Sequence, residues 1–222
     1  MIKNLVRSFL EYFIRNIPGG IGRKIRYSYY KLVLGGCGKD VYIDIGVVIT
    51  DPRSVFLGNH VWIDNYVLIL SGPPGEGRKI YRKANPKYQY KEGELHIGDN
   101  VHIAPMTVIQ SHGGVMIGAN SGVASGSRIY SFSNHYKDLN EPADVGPFHF
   151  TPLAPLKNQA YVLSPVVLEE DTAIGLNSVV LPGTTVTKGT WLGVSSYIQG
   201  AKIEPDSVYS SEMAKFIKRK NG

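Results

Sequence analysis

The sequence has one cysteine, Cys37, among its 222 residues. An intramolecular disulfide is therefore excluded, and a reducing compartment is the default address. Long apolar runs are also missing: the longest, Tyr66-Val67-Leu68-Ile69-Leu70, falls far short of the ~20 residues that a membrane-spanning helix needs. No continuous apolar stretch precedes a small-residue cleavage site at the N-terminus, so no export leader is read there, and a cytoplasmic location is the expectation. Most of the chain carries no excess charge. Residues 36–222 hold 17 basic and 17 acidic side chains, and the net charge of +6 resides in 1–35, where Lys3, Arg7, Arg15, Arg23, Lys24, Arg26 and Lys31 face Glu11 alone. A neutral body argues against nucleic acid as a partner.

The second half lacks both ordinary periods of secondary structure. Across 164–200 the aliphatics Leu168, Ile174, Val180, Val186, Leu192 and Ile198 recur at every sixth residue. Two places before each stand Val166, Thr172, Ser178, Thr184, Thr190 and Ser196. Neither the i, i+3, i+4, i+7 spacing of a helix nor the alternation of a half-buried strand has that period. Short strands that turn a corner after every six residues do. Three such strands close a triangular coil, and each coil stacks its aliphatics on the next, so no repeat buries its core alone. The period begins near Ile45 and passes an imperfect rung, Asp51, to Leu57, Ile63 and Ile69. It resumes at Ile97, Ile103 and Ile109, slips by two residues around 111–114, and continues through Ile117, Val123 and Ile129. The pattern predicts a mainly β protein, a parallel β-helix of about five to six turns over 37–210, with excursions at 72–93 and 131–163.

The two ends read as helices. Ile2, Leu5, Val6, Phe9, Phe13 and Ile17 recur at helical spacing up to Pro18-Gly19-Gly20, a second helix follows from Ile21 to Leu34, and 211–222 suggests a short basic C-terminal helix. The N-terminal segment, 1–36, has two readings. It is a cap over the open end of the stack, which solenoids need, or it makes peripheral contact with an anionic membrane at its inner face, which suits a lipid-linked substrate. The excursion 72–93 is basic and carries Tyr81, Tyr88 and Tyr90. Its tyrosines are candidates for stacking on a sugar ring; a solvated loop is the other reading.

The stretch 117–136, IGANSGVASGSRIYSFSNHY, resembles the galactoside, maltose and xenobiotic acetyltransferases of the hexapeptide-repeat superfamily. Ile129-Tyr130-Ser131-Phe132-Ser133-Asn134-His135 matches the family's Ile-Tyr-Thr-x-Thr-His-like phrase with one extra residue before the histidine. Ser164-Pro165-Val166-Val167-Leu168 through Ile174-Gly175 matches the phrase on which the wall resumes. The resemblance implies a left-handed β-helix, a homotrimer, acetyl-CoA as co-substrate and active sites between neighbouring subunits. It also implies His135 as general base. A sugar hydroxyl is a poor nucleophile at neutral pH, and an imidazole can take its proton as the oxygen attacks a thioester.

Asp138 stands three residues after His135, at the family's spacing for an acidic partner, and is the candidate orienter; Glu141 and Asp144 are others, and a plain turn residue is the alternative. The family's glutamate in the returning loop falls near Ala160, a departure. Acceptor-binding candidates are His112 at the phase slip, His102, Tyr81, Tyr88 and Asn134. The small residues Gly175, Ser178, Gly193, Ser195 and Ser196 match the family's donor positions. Lys202 and Lys215 are the candidates for the donor's phosphates, although Gln199-Gly200 replaces the family's Thr-Lys. Cys37 precedes the wall and lacks a neighbouring base, so it is not read as a nucleophile.

The expected activity is acetyl-CoA-dependent O-acetylation of a saccharide hydroxyl in cell-surface polysaccharide or lipopolysaccharide assembly. N-acetylation of an amino-sugar nucleotide is the alternative. A zinc-dependent carbonic anhydrase and a purely structural β-helix are weaker rivals, and no metal is expected.

Overall fold

The computed structural model describes residues 2–140, 148–200 and 203–210. Each strand of the wall ends in a corner that an ordinary β backbone does not make, and the corners select their residues. One corner column places Asp40, His60, Asn100, Asn120, Asp171 and Asp206 at φ of 52–59°. This left-handed region is one that asparagine and aspartate tolerate better than most side chains. The same column is laced lengthwise, because Asn100 donates to Asn120 at 3.0 Å and Asn120 to Asp171 at 3.2 Å.

Between corners the chain builds three parallel walls. The first holds Gly36–Cys37, Val55–Leu57, Leu95–Ile97, Val115–Ile117, Val166–Leu168 and Thr185–Val186. The second holds Tyr42–Ile43, Trp62–Ile63, His102–Ile103, Gly122–Val123, Ala173–Ile174, Trp191–Leu192 and Val208–Tyr209. The third holds Val48–Ile49, Leu68–Leu70, Val108–Gln110, Arg128–Tyr130, Val179–Val180 and Tyr197–Ile198. Six turns result, with Val208–Tyr209 opening a seventh: a left-handed parallel β-helix. Register sets like on like, Ile63 beside Ile103, Ile103 beside Val123 and Ile109 beside Ile129, all fully buried. The hydroxyls two places before each aliphatic are buried as well, and they are satisfied by corner carbonyls. Ser178 Oγ donates to the Gly193 carbonyl at 3.0 Å, and Thr190 Oγ1 to that of Glu204 at 3.1 Å. Left unpaired, each would cost about 1–3 kcal/mol.

The first coil departs from the expected phase. Its inward residues are Ile43 and Ile49, while Ile45 is only half-buried. The short 3-10 turn Pro52–Ser54 inserts two residues at the corner, as 111–114 does later, so Asp51 belongs to a turn and not to a rung. The predicted C-terminal helix, 211–222, lies outside the described residues. The two excursions meet: Phe132–Asn134 pairs antiparallel with Ala160–Leu163, which pairs parallel with Lys79–Arg82.

Helices α1 (Ile2–Asn16) and α2 (Gly19–Val33) sit at the N-terminal end. Arg26 of α2 is 1% exposed. Its Nε donates to the Ile43 carbonyl at 2.6 Å and its Nη1 to the Ile17 carbonyl at 2.6 Å. The guanidinium thus takes up carbonyl groups left open where α1 ends and ties them to the first coil. Gly22 is required for this approach, since a Cβ there would overlap the Ile17 carbonyl. Removing the guanidinium by Arg26→Met should cost about 3 kcal/mol locally. Hydrogen exchange should then accelerate across α1 and α2 while the amides of the walls keep their protection; unchanged exchange in the helices would refute the anchoring role.

Candidate active site

The corner between the third and first walls is where the chain leaves the coil, and the site grows from it. Ser131 is fully buried there. Its Oγ donates to the Gln110 carbonyl at 2.7 Å and accepts from the Gly113 amide at 2.9 Å. From this fixed point Phe132–Asn134 runs outward, and the His135 amide continues the pairing by donating to the Ala160 carbonyl at 2.9 Å. His135 Nδ1 lies 2.7 Å from the Lys137 carbonyl oxygen. Only a protonated Nδ1 donates to that carbonyl and only an unprotonated one accepts from the Lys137 amide, whose nitrogen lies 3.2 Å away, so Lys137 holds the ring at Nδ1 and the nearer contact suits the tautomer in which Nε2 keeps the basic lone pair. The imidazole lines an open cleft of about 430 Å³ together with Lys83, Ser133, Ser164, Gly183 and Gln199.

Asp138 is brought close to His135 but not to its ring nitrogens, which corrects the expected orienter. One carboxylate oxygen accepts from Tyr81 Oη at 2.6 Å and from the Asn140 amide at 2.9 Å, and the other pairs with Lys79. The side chain is 5% exposed. Lys79 first, then Tyr81 and the Asn140 amide, hold the carboxyl down at a pKa of about 2. Burial, followed by the bond to Asp138, pushes the Tyr81 phenol up from its ordinary value. The Tyr81 ring meets the imidazole edge-on at 6.2 Å. Lys79, Tyr81 and Asp138 therefore form a brace beneath the histidine, and the backbone of Lys137 is what contacts its Nδ1.

The other candidates are dispersed. His112 Nδ1 donates to the Gly72 carbonyl at 2.8 Å, pinning the start of the first excursion, and its ring contacts Phe132. The Tyr88 hydroxyl reaches the carbonyls of Lys91 and Glu94, both at 2.9 Å, so it closes its own loop and is not presented to a ligand. His102 lies on the second wall against Trp62, with Asp64 at 3.4 Å, away from the His135 cleft. Asn134 alternates with Ser133 and His135 along its strand and does not line the cleft with them.

Ser178 and Ser196 both donate to the Gly193 carbonyl, and a Cβ on Gly175 would overlap Gly193, so these four residues serve coil stacking. Ser195 is exposed at a left-handed corner. Lys202, Lys215, Glu141 and Asp144 lie outside the described residues. A wider groove of about 700 Å³ runs along the first wall, where His96 is stacked between Phe56 and Tyr90. Of the candidate sugar-stacking tyrosines it holds Tyr90, whose ring is stacked on His96.

Sequence reasoning passed over Lys83, Ser133, Gly183 and Gln199 as lining residues. A signal existed: Ser164, Pro182 and Gly200 stand one 18-residue coil apart and so share a corner. Gly183 and Gly200 have φ of +82° and +54°, and a Cβ on Gly200 would enter open space. The bare backbone of Gly183 and Gly200 in the same cleft as His135 leaves room for the narrow thioester end of an acyl-CoA.

No protein-family model matches the chain. It is 30% identical over 144 residues to a probable acetyltransferase of Mycobacterium tuberculosis, covering 65% of this chain and 43% of that protein. It is 24% identical over 146 residues to the dTDP-4-amino-4,6-dideoxy-D-glucose acyltransferase of Escherichia coli, covering 66% and 62% respectively. The chain thus spans less than two thirds of either relative. Among solved structures, the N-acyltransferase AntD of Bacillus cereus, in complex with dTDP and 3-hydroxybutyryl-CoA, superposes with a TM-score of 0.63 at 19% identity, over 88% of this chain and 89% of that one. A maltose O-acetyltransferase from Clostridium difficile gives 0.52 at 14% identity, over 96% and 84%. The expected β-helix is borne out, and the proteins that the chain resembles are acyltransferases.

The depressed Asp138 carboxyl stabilises the joined excursions above its unfolded pKa of ~4 and ceases to do so as the pH falls toward ~2. Hydrogen-exchange protection of Lys79–Arg82 and Ala160–Leu163, corrected for intrinsic rates, should therefore hold from neutral pH to about 5 and drop between about 4 and 2. Asp138→Asn should lower that protection at neutral pH and remove the step; an unaltered step would show that another group supplies it.

Proposed function

We propose that this chain is an acetyl-CoA-dependent O-acetyltransferase with His135 as general base, acting on a saccharide hydroxyl in cell-surface polysaccharide or lipopolysaccharide assembly. The observation that supports this reading is the placement of His135 in an open cleft beside Gly183 and Gly200, with Nδ1 nearer to the Lys137 carbonyl (2.7 Å) than to the Lys137 amide (3.2 Å), an arrangement that suits Nε2 as the proton acceptor. The co-substrate supplies an activated acetyl group as a thioester. His135 takes the proton from the acceptor hydroxyl as its oxygen bonds to the acyl carbon, and returns that proton to the departing sulfur. Asp138, Lys79 and Tyr81 hold the strand on which the histidine sits, so their part is positional. Lys83, at the mouth of the same cleft, offers a cation to an anionic acceptor group.

N-acylation of an amino-sugar nucleotide is the second reading, favoured by the names of the Escherichia coli relative and of AntD. The two part on the acceptor alone. We also assign the working unit as a homotrimer. Tyr66, Met106, Leu176 and Val194 are exposed along the corner between the second and third walls, an apolar line that a neighbouring subunit would cover.

His135→Ala should lower kcat by about 10²–10⁴-fold while acetyl-CoA affinity, measured by calorimetry, stays nearly unchanged. Turnover equal to wild type would end the assignment. A screen of sugars against nucleotide-linked amino sugars decides between O- and N-transfer. Light scattering should give three times the 24.4 kDa chain mass, and Met106→Glu should shift it toward monomer; a monomeric wild type would contradict the trimer.

A further inference from the structure

A helical cap ordinarily turns its apolar side toward the core that it covers. Over its described side chains, residues 9–16, the first helix leaves its aromatics outside. α1 meets the body through Glu11, which accepts from Tyr29 Oη at 2.5 Å, and through Arg15, whose carbonyl accepts from the Gly46 amide at 3.0 Å. Its aromatic side faces away: Phe9 is 64% exposed, Tyr12 60% and Phe13 52%, with the Phe9 and Phe13 rings in edge contact at 4.9 Å. α2 is held from beneath by the buried Arg26 and Tyr30. On its outer side Ile21, Ile25, Ser28 and Leu32 follow one another at helical spacing, with Ile21 73% and Leu32 84% exposed. Lys24 and Lys31 flank that stripe, both exposed. Exposed aromatic and aliphatic residues rimmed by lysine do not serve the stack, whose end is closed by other side chains.

We infer that the outer side of α1 and α2 docks on the surface of an anionic lipid bilayer, with Phe9, Phe13, Ile21 and Leu32 entering the interface and Lys24 and Lys31 meeting headgroup charge. Two observations select a lipid surface over a protein partner. The chain's net charge of +6 lies in residues 1–35 while the remainder is balanced; Arg26 is buried and Arg23 pairs with Asp44, but Lys24 and Lys31 stay exposed, and these cations complement an anionic plane and not a second copy of themselves, since two copies would bring like charges together. Apolar side chains bordered by lysines on an in-plane helix are also the pattern of a segment that lies in the headgroup region. Among the described residues no helix is long and apolar enough to cross a membrane, so the contact is peripheral. The docking is independent of the chemistry at His135, and its failure would leave that assignment untouched.

The test is flotation of the full chain with vesicles of phosphatidylcholine alone and with roughly one third phosphatidylglycerol, at low and high salt. Wild type should float with the anionic vesicles, less with neutral ones, and less at high salt. Lys24→Glu with Lys31→Glu should weaken binding at least ~10-fold. Phe9→Ser with Phe13→Ser and Leu32→Ser should abolish it, with circular dichroism and oligomeric mass unchanged. Absence of flotation, or equal flotation with neutral vesicles, overturns the proposal. So does a change of oligomeric mass on replacing the apolar residues, which would make this side an interface between copies.

Discussion

Coil-on-coil stacking is the interaction on which everything else in this molecule depends. A strand of two or three residues has no stability of its own, and a single triangular coil encloses too little apolar surface to persist. Only when Ile63 lies between Ile43 and Ile103, and each of these is in turn covered, does the column become dry. The same requirement extends to polar groups. The buried serines and threonines at the corners reach carbonyls of the adjoining coil, so removing one coil would strand hydroxyls as well as expose aliphatics.

Such a stack tolerates change only where the ladder is already broken, and that location decides where chemistry can be placed. All the interruptions, Pro52–Ser54, 72–93, 111–114 and 131–163, fall on the corner between the third and first walls. Residues leave the coil there without disturbing the inward aliphatics before and after. The site therefore combines a rigid floor, made by Ser131, Ser164 and the glycine-bearing corners beneath them, with a roof of excursions that lock together through a small sheet of their own. His135 stands at the junction. Its backbone is fixed by that sheet, and its ring is held at Nδ1 by the backbone of a residue only two places away.

The N-terminal end of the stack shows a different compromise. An open coil end must be covered, and Tyr30 of α2 with Leu34, the residue that follows the helix, covers it while Arg26 satisfies the carbonyls trapped beneath. Burial lowers the pKa of that guanidinium and the nearby Asp44 carboxylate opposes the shift, so the cation is retained by its partners. Covering the end consumes only the inner sides of the helices. Their outer sides carry an apolar load that the stack does not use.

The repeat of six, the excursions at 72–93 and 131–163 and the histidine that opens the second were legible in the amino-acid sequence because each is a local signal. A stack repeats its demand for an inward aliphatic at every strand, and any departure from that demand is visible as a lost beat. The phase of the first coil was misread because a two-residue insertion at a corner leaves a run of aliphatics on either side that fits two registers, Ile43 with Ile49 or Ile45 with Asp51. The excursions have no period, so nothing local reports their partners. Asp138 pairs with Lys79 across 59 residues, and Arg78 with Gln159 across 81. Sequence proximity pointed Asp138 at His135, three residues away. Tertiary structure decided otherwise, because the two excursions pair as a sheet and place a lysine and a tyrosine nearer to that carboxylate than the imidazole is.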